Sequence, residues 1–109
     1  MALVVDGDLA ALRRMLDLLS AAGWDCRGAL DAVEACAVLE SCAPLLVMID
    51  PQLPLAGEVI ARAHTSFPAR VVALSANGTF FAEPSLWDGL LVKPVNEPSL
   101  RQLLLRFTL

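Results

Sequence analysis

Short unbroken apolar runs alternate along the chain with longer stretches in which apolar residues recur every three or four positions. The runs are "ALVV" at 2–5, "LLVMI" at 45–49, "RVVAL" at 70–74 and "LLV" at 90–92, with "WDCR" at 24–27 a weaker one. Runs of this length, bounded by turn formers, predict strands buried on both faces. The segment 8–23 repeats Leu9, Leu12, Leu16 and Leu19 at helical spacing and meets a stop at Gly23. The segment 29–42 reads as a helix with Leu30, Val33, Ala37 and Val38 on one side. A third helix falls at about 57–66, with its end marked by Pro68. A last amphipathic helix spans 97–107, with Asn96 as its cap and Pro98 in its first turn.

Strand and helix thus alternate five times without a repeat or linker. That order predicts an α/β domain covering 1–109, with a parallel sheet, helices on both faces and right-handed crossovers. Ligands of such sheets sit beyond the carboxyl ends of the strands, so the residues after each run matter most. They are Asp6, Gly7 and Asp8 after the first run, Asp50 after the third, Ser75 and Ala76 after the fourth, and Lys93 and Pro94 after the fifth. Taken singly, Asp8 reads equally well as a helix cap, Ser75 as a loop hydroxyl and Lys93 as a solvated charge. Asp50 does not reduce so easily. A carboxylate at the end of a fully buried strand must be hydrogen-bonded, paired or bound to a metal.

Composition narrows the classes. With 57% hydrophobic and 18% charged residues, the chain is not a disordered one, and its apolar excess suggests a surface covered by a partner or by the rest of a longer chain. A net charge of −4 with no basic cluster gives no footprint for nucleic acid. Cys26, Cys36 and Cys42 lack the close pairing of a zinc site and read as reduced thiols. No apolar stretch is long enough for a membrane span and no signal peptide is visible, so a cytoplasmic location is expected.

"LVVDGD", "LLVMIDPQLP", "VVALSA" and "LLVKP", in this order, resemble the receiver domain of bacterial two-component response regulators across essentially the whole chain. The resemblance implies a flavodoxin-like (CheY-like) five-stranded sheet of order 2-1-3-4-5 and a signalling module rather than an enzyme. It implies Asp50 as acceptor of a phosphoryl group from a histidine kinase or phosphotransfer protein. By the same resemblance Ser75 is the switch hydroxyl, Lys93 the family's lysine, and Asp6, Asp50 and the backbone carbonyl of Gln52 the ligands of Mg²⁺. The chemistry is self-consistent. An aspartate can attack a phosphoryl group, and a hard cation and a lysine can neutralise the crowded oxygens.

Several departures stand against that pattern. Gly7 replaces the family's second acid, so Mg²⁺ binding should be weak; Asp8 is a candidate substitute through a one-residue shift of the loop. Pro51 stiffens the loop after the acceptor. Only seventeen residues separate Ser75 from Lys93, so the fourth helix should be short or irregular, and Leu90 stands where an aromatic switch residue is common. Phe80, Phe81, Leu86 and Trp87, together with Leu103, Leu104 and Phe107, are expected to form an apolar contact for a partner or a second copy, built from residues 79–90 and the helix 97–107. A pseudo-receiver that binds protein or small ligand without phosphorylation is the alternative. A nucleotide binder is disfavoured, because "DGD" after the first strand would repel phosphate rather than cradle it.

Overall fold

The computed structural model describes residues 1–66, 69–76 and 87–108. Five parallel strands form one sheet: β1 (Ala2–Val5), β2 (Cys26–Ala29), β3 (Leu46–Ile49), β4 (Arg70–Ser75) and β5 (Gly89–Val92). Their order is β2-β1-β3-β4-β5, as expected from the flavodoxin-like reading. Among the described residues four helices connect or follow them: α1 (Leu9–Ala21), α2 (Ala32–Ser41), α3 (Ala56–Ser66) and α4 (Glu97–Thr108). The expected short or irregular fourth helix, with Phe80, Phe81 and Leu86, lies outside the described residues, as does Pro68.

Alternation along the strands divides the core in two. Ala2, Val4, Leu46, Met48, Val72, Leu74 and Leu91 face α1 and α4, which contribute Leu12, Met15, Leu19, Leu100, Leu103 and Leu104. Leu3, Val5, Val47, Ile49 and Val71 face α2 and α3, which contribute Ala35, Leu39, Val59, Ile60 and Ala63. The central strands β1 and β3 are buried on both sides, which is why they read as unbroken apolar runs. Caps fix the helix starts. Asp31 accepts from Glu34 N at α2, and Asn96 accepts from Ser99 N at α4, the cap expected there. Gly23 follows α1 with φ +89°, the left-handed conformation that glycine adopts freely.

Several expectations are corrected. The buried stripe of α1 is Leu12, Met15 and Leu19, whereas Leu9 points to solvent. On α2 the sheet takes Ala32, Ala35 and Leu39, and Val33 is 74% exposed; the small alanines let the helix lie close to the sheet, and Val33 falls on the solvent side of that stripe. The second strand is Cys26–Ala29 rather than 24–27. Leu45 lies outside β3 and is exposed, because pairing begins at Leu46. Leu103 and Leu104 are buried, and Phe107 packs partly against the same core. The inward face of α4 is therefore consumed by the sheet, where Gly89 admits it: a Cβ there would lie 2.8 Å from Leu103 Cδ1. Trp87 packs partly against the α2/α3 side. Of the expected contact surface, the described large apolar residues left exposed are Leu90 on β5 and Leu105 on α4.

Candidate phosphoryl-acceptor site

The register of the sheet builds the site. Val5 pairs with Ile49, so the residues that follow them, Asp6 and Asp50, emerge side by side at the carboxyl rim. Asp6 N donates to Ala29 O and Asp50 N donates to Val5 O, which extends the ladder to both. At the far side Ser75 pairs with Val92, and Lys93 N donates to Ser75 O at 2.8 Å.

Lys93 then reaches back across the rim. Its Nζ lies 2.7 Å from Asp6 Oδ2 and 2.9 Å from Asp50 Oδ2, a shared ammonium between two carboxylates. The other oxygens are held by backbone donors: Asp8 N donates to Asp6 Oδ1 and Gln52 N to Asp50 Oδ1, each at 2.9 Å. The latter bond turns the carboxylate within the stiff Pro51 loop. Burial acts to lower the pKa of Lys93, but hydrogen bonds and charge from Asp6 and Asp50 outweigh it, and the pKa is raised above 10.5. Lys93 is also the sole lysine of the chain.

Asp6 is buried, while the Asp50 side chain is 24% exposed. The acceptor candidate is thus the accessible acid of the pair. Both border a cavity of about 830 Å³ between α1, the loop after β3 and the loop after β5. At the end of β4 the cavity is lined by Leu74 and by Ala76, just past the strand. Ser75 between them is buried and joins the cluster through its backbone carbonyl. Asp8 lines the cavity too, but its Oδ1 accepts from Ala10 N at 3.0 Å and caps α1.

The donor set fits a hard divalent cation. Asp6 Oδ2 is buried and faces the Lys93 ammonium at 2.7 Å. Magnesium commonly takes one or two protein carboxylates and completes its shell with water and phosphate oxygens. Asp6, Asp50 and the Gln52 carbonyl would supply that, though no group of three acidic, His or Cys ligands is present among the described residues.

Arg14 was not legible as part of the site. Its Nε donates to Val95 O at 2.9 Å and it borders the same cavity. Helical spacing carries the signal: Arg14 stands three and four positions beyond Ala11 and Ala10, which line the cavity as well.

No family model matches the chain, and no curated protein does. Solved structures do. A receiver domain from Methylobacillus flagellatus aligns at TM-score 0.81 and 24% identity, covering 97% of this chain and 96% of its own. The N-terminal domain of a response regulator/sensory box/GGDEF protein from Carboxydothermus hydrogenoformans aligns at 0.85 and 17%, covering 97% and 91%. The receiver domain of the hybrid histidine kinase CckA aligns at 0.82 and 21%, covering 99% and 98%. The likeness spans nearly the whole of each chain, and what it establishes is the fold, that of the CheY-like receiver domains of response regulators.

Proposed function

We propose that the chain is a phosphoacceptor receiver domain in two-component or phosphorelay signalling, with Asp50 as the acceptor. The observation that carries the reading is the bridging of Asp6 and Asp50 by Lys93 at the rim of a receiver-type sheet. In the reaction a carboxylate oxygen of Asp50 attacks the phosphorus of a phosphohistidine on a kinase or phosphotransfer protein. The P–N bond breaks, the imidazole leaves with its electron pair, and an acyl phosphate forms. Lys93 moves with the charge, from the Asp50 carboxylate to the new phosphoryl oxygens. Asp6 holds the ammonium in place meanwhile. Ser75 is the hydroxyl assigned to the phosphorylated state. Asp6, Asp50 and the Gln52 carbonyl would hold Mg²⁺, which would supply charge neutralisation of the phosphoryl oxygens, and Gly7 in place of an acid would weaken that hold.

The protein works in the cytoplasm, where such phosphodonors are. No helix of the described residues is long and apolar enough to cross a membrane, which is compatible with that location. Contact with a second copy or partner through residues 79–90 and helix 97–107 would use Leu90 and Leu105 among the described residues. Gly7 alone favours the second reading, a pseudo-receiver that acts through binding.

The test is intact-mass measurement after incubation with a small phosphodonor and Mg²⁺. One added phosphoryl group, lost in Asp50→Asn, is expected. No addition, or one mapped to another residue, overturns the acceptor assignment.

A further inference from the structure

We infer that Arg14 is a positioning residue for Lys93, tying α1 to the loop that delivers the ammonium to the two carboxylates; its rate readout rests on the acceptor reading above. Lys93 acts from the end of a flexible four-carbon stem, so its placement depends on how firmly its backbone is held. On one side the hold is the strand: Lys93 N donates to Ser75 O. On the other side the chain must turn from β5 into α4, and Asn96 is already committed to capping that helix.

Pro94 and Val95 lie in between, and Val95 is the one that is anchored. Its side chain is buried in the α1/α4 core and its carbonyl accepts from Arg14 Nε at 2.9 Å. A guanidinium donor makes this a charge-assisted bond, stronger than a neutral one, and it is partly buried. It joins residues 81 apart in sequence. It also closes a mechanical loop. α1 begins at the cap Asp8, whose backbone N–H holds Asp6, and Asp6 holds Lys93. Arg14 returns from the same helix to the segment carrying Lys93. The acid side and the lysine side of the cluster are thus braced against one helix. An arginine on an exposed helical face would ordinarily be a solvated charge; here its Nε is spent on a buried residue's carbonyl at the wall of the cavity.

The experiment uses the full chain. In Arg14→Met, which keeps the aliphatic stem and removes the donor, the chain should stay folded, with the melting temperature lowered by several degrees for the lost charge-assisted bond. The Lys93 side-chain resonances, a single set because the chain has one lysine, should move toward those of a free lysine. Labelling by a small phosphodonor should slow about tenfold at saturation with the donor KM unchanged, as for a misplaced group rather than a lost binding contact. Arg14→Lys should recover part of both. In a Lys93→Met background Arg14→Met should add no further rate loss, since its effect passes through Lys93.

Unmoved Lys93 resonances in a folded Arg14→Met overturn the inference, as do rate losses that simply add. If Arg14→Met does not fold, Arg14→Gln carries the same resonance test. If the original chain takes no phosphoryl group, the acceptor reading fails while the resonance comparison still decides the role of Arg14.

Discussion

The ammonium of Lys93 lies 2.7 Å from Oδ2 of Asp6, a side chain only 2% exposed. A buried carboxylate without such a partner would carry a heavy desolvation cost. The folded chain therefore holds the Lys93 proton more tightly than the unfolded one. The associated stabilisation is complete below the ordinary lysine value of 10.5 and is lost as pH rises through the higher folded value. Melting temperature should fall in that range. With no tyrosine and no second lysine in the chain, the fall above pH 10 should shrink in Lys93→Met, which thermal melts from pH 9 to 12 beside a variant with its three cysteines replaced by serine will check.

Gly7→Asp should tighten Mg²⁺ binding by an amount on the order of 1–3 kcal/mol, the scale of a charged ligand restored beside the ion. Space is available. A Cβ at Gly7 would meet Leu53 Cδ2 at 3.2 Å, the far end of a half-buried side chain that can give way. Calorimetric titration checks it. Unchanged affinity would mean that Asp8 leaves its capping position to serve the ion, or that the pocket takes none.

Leu55 adopts φ +62° although its side chain is 60% exposed. A left-handed conformation costs a branched residue roughly 1–2 kcal/mol, and the exposed side chain recovers little of it by burial. Leu55→Gly should stabilise the domain by about 0.5–1 kcal/mol after the glycine's own entropy loss is subtracted. Denaturant melts of this variant beside Leu55→Ala, which keeps the strain, will separate the backbone effect from the loss of the side chain.

Gly89→Ala should act in the opposite sense. The added methyl meets Leu103 Cδ1 inside a packed interface, and overpacking of this kind costs about 1–3 kcal/mol. A companion Leu103→Ala change should relieve part of the loss, read as non-additivity in the double variant.

The rim of the site was legible because it depends on backbone register. Unbroken apolar runs marked β1 and β3, and the residue after each run was bound to stand at the rim, so Asp6, Asp50 and Lys93 could be named together. Helix faces were less legible. Leu9 and Val33 are as apolar as any core residue, yet the sheet takes Met15 and Ala35 instead, because the fit of a helix to a sheet rewards shape as well as hydrophobicity. The expected patch failed at Leu103 and Leu104 for a related reason. Gly89 leaves room for Leu103 against the strand, Leu104 joins the same core, and a glycine in a strand announces such an approach only once its neighbour is known. Arg14 was hidden because its partner is a main-chain carbonyl, which leaves no trace in residue type.

Asp6 and Asp50 each stand one step beyond strand residues paired in register, Val5 and Ile49, and Asp50 N donates to Val5 O. Their spacing is therefore a property of the polypeptide ladder, not of side-chain packing around them. A core that loosens on warming can change the helices above without parting these two acids. The sheet's centre must open for that. Amide protons at Asp6 and Asp50, donating to Ala29 O and Val5 O, should then exchange only as the whole domain unfolds, so that the chemistry at the rim switches off together with the fold rather than fading ahead of it.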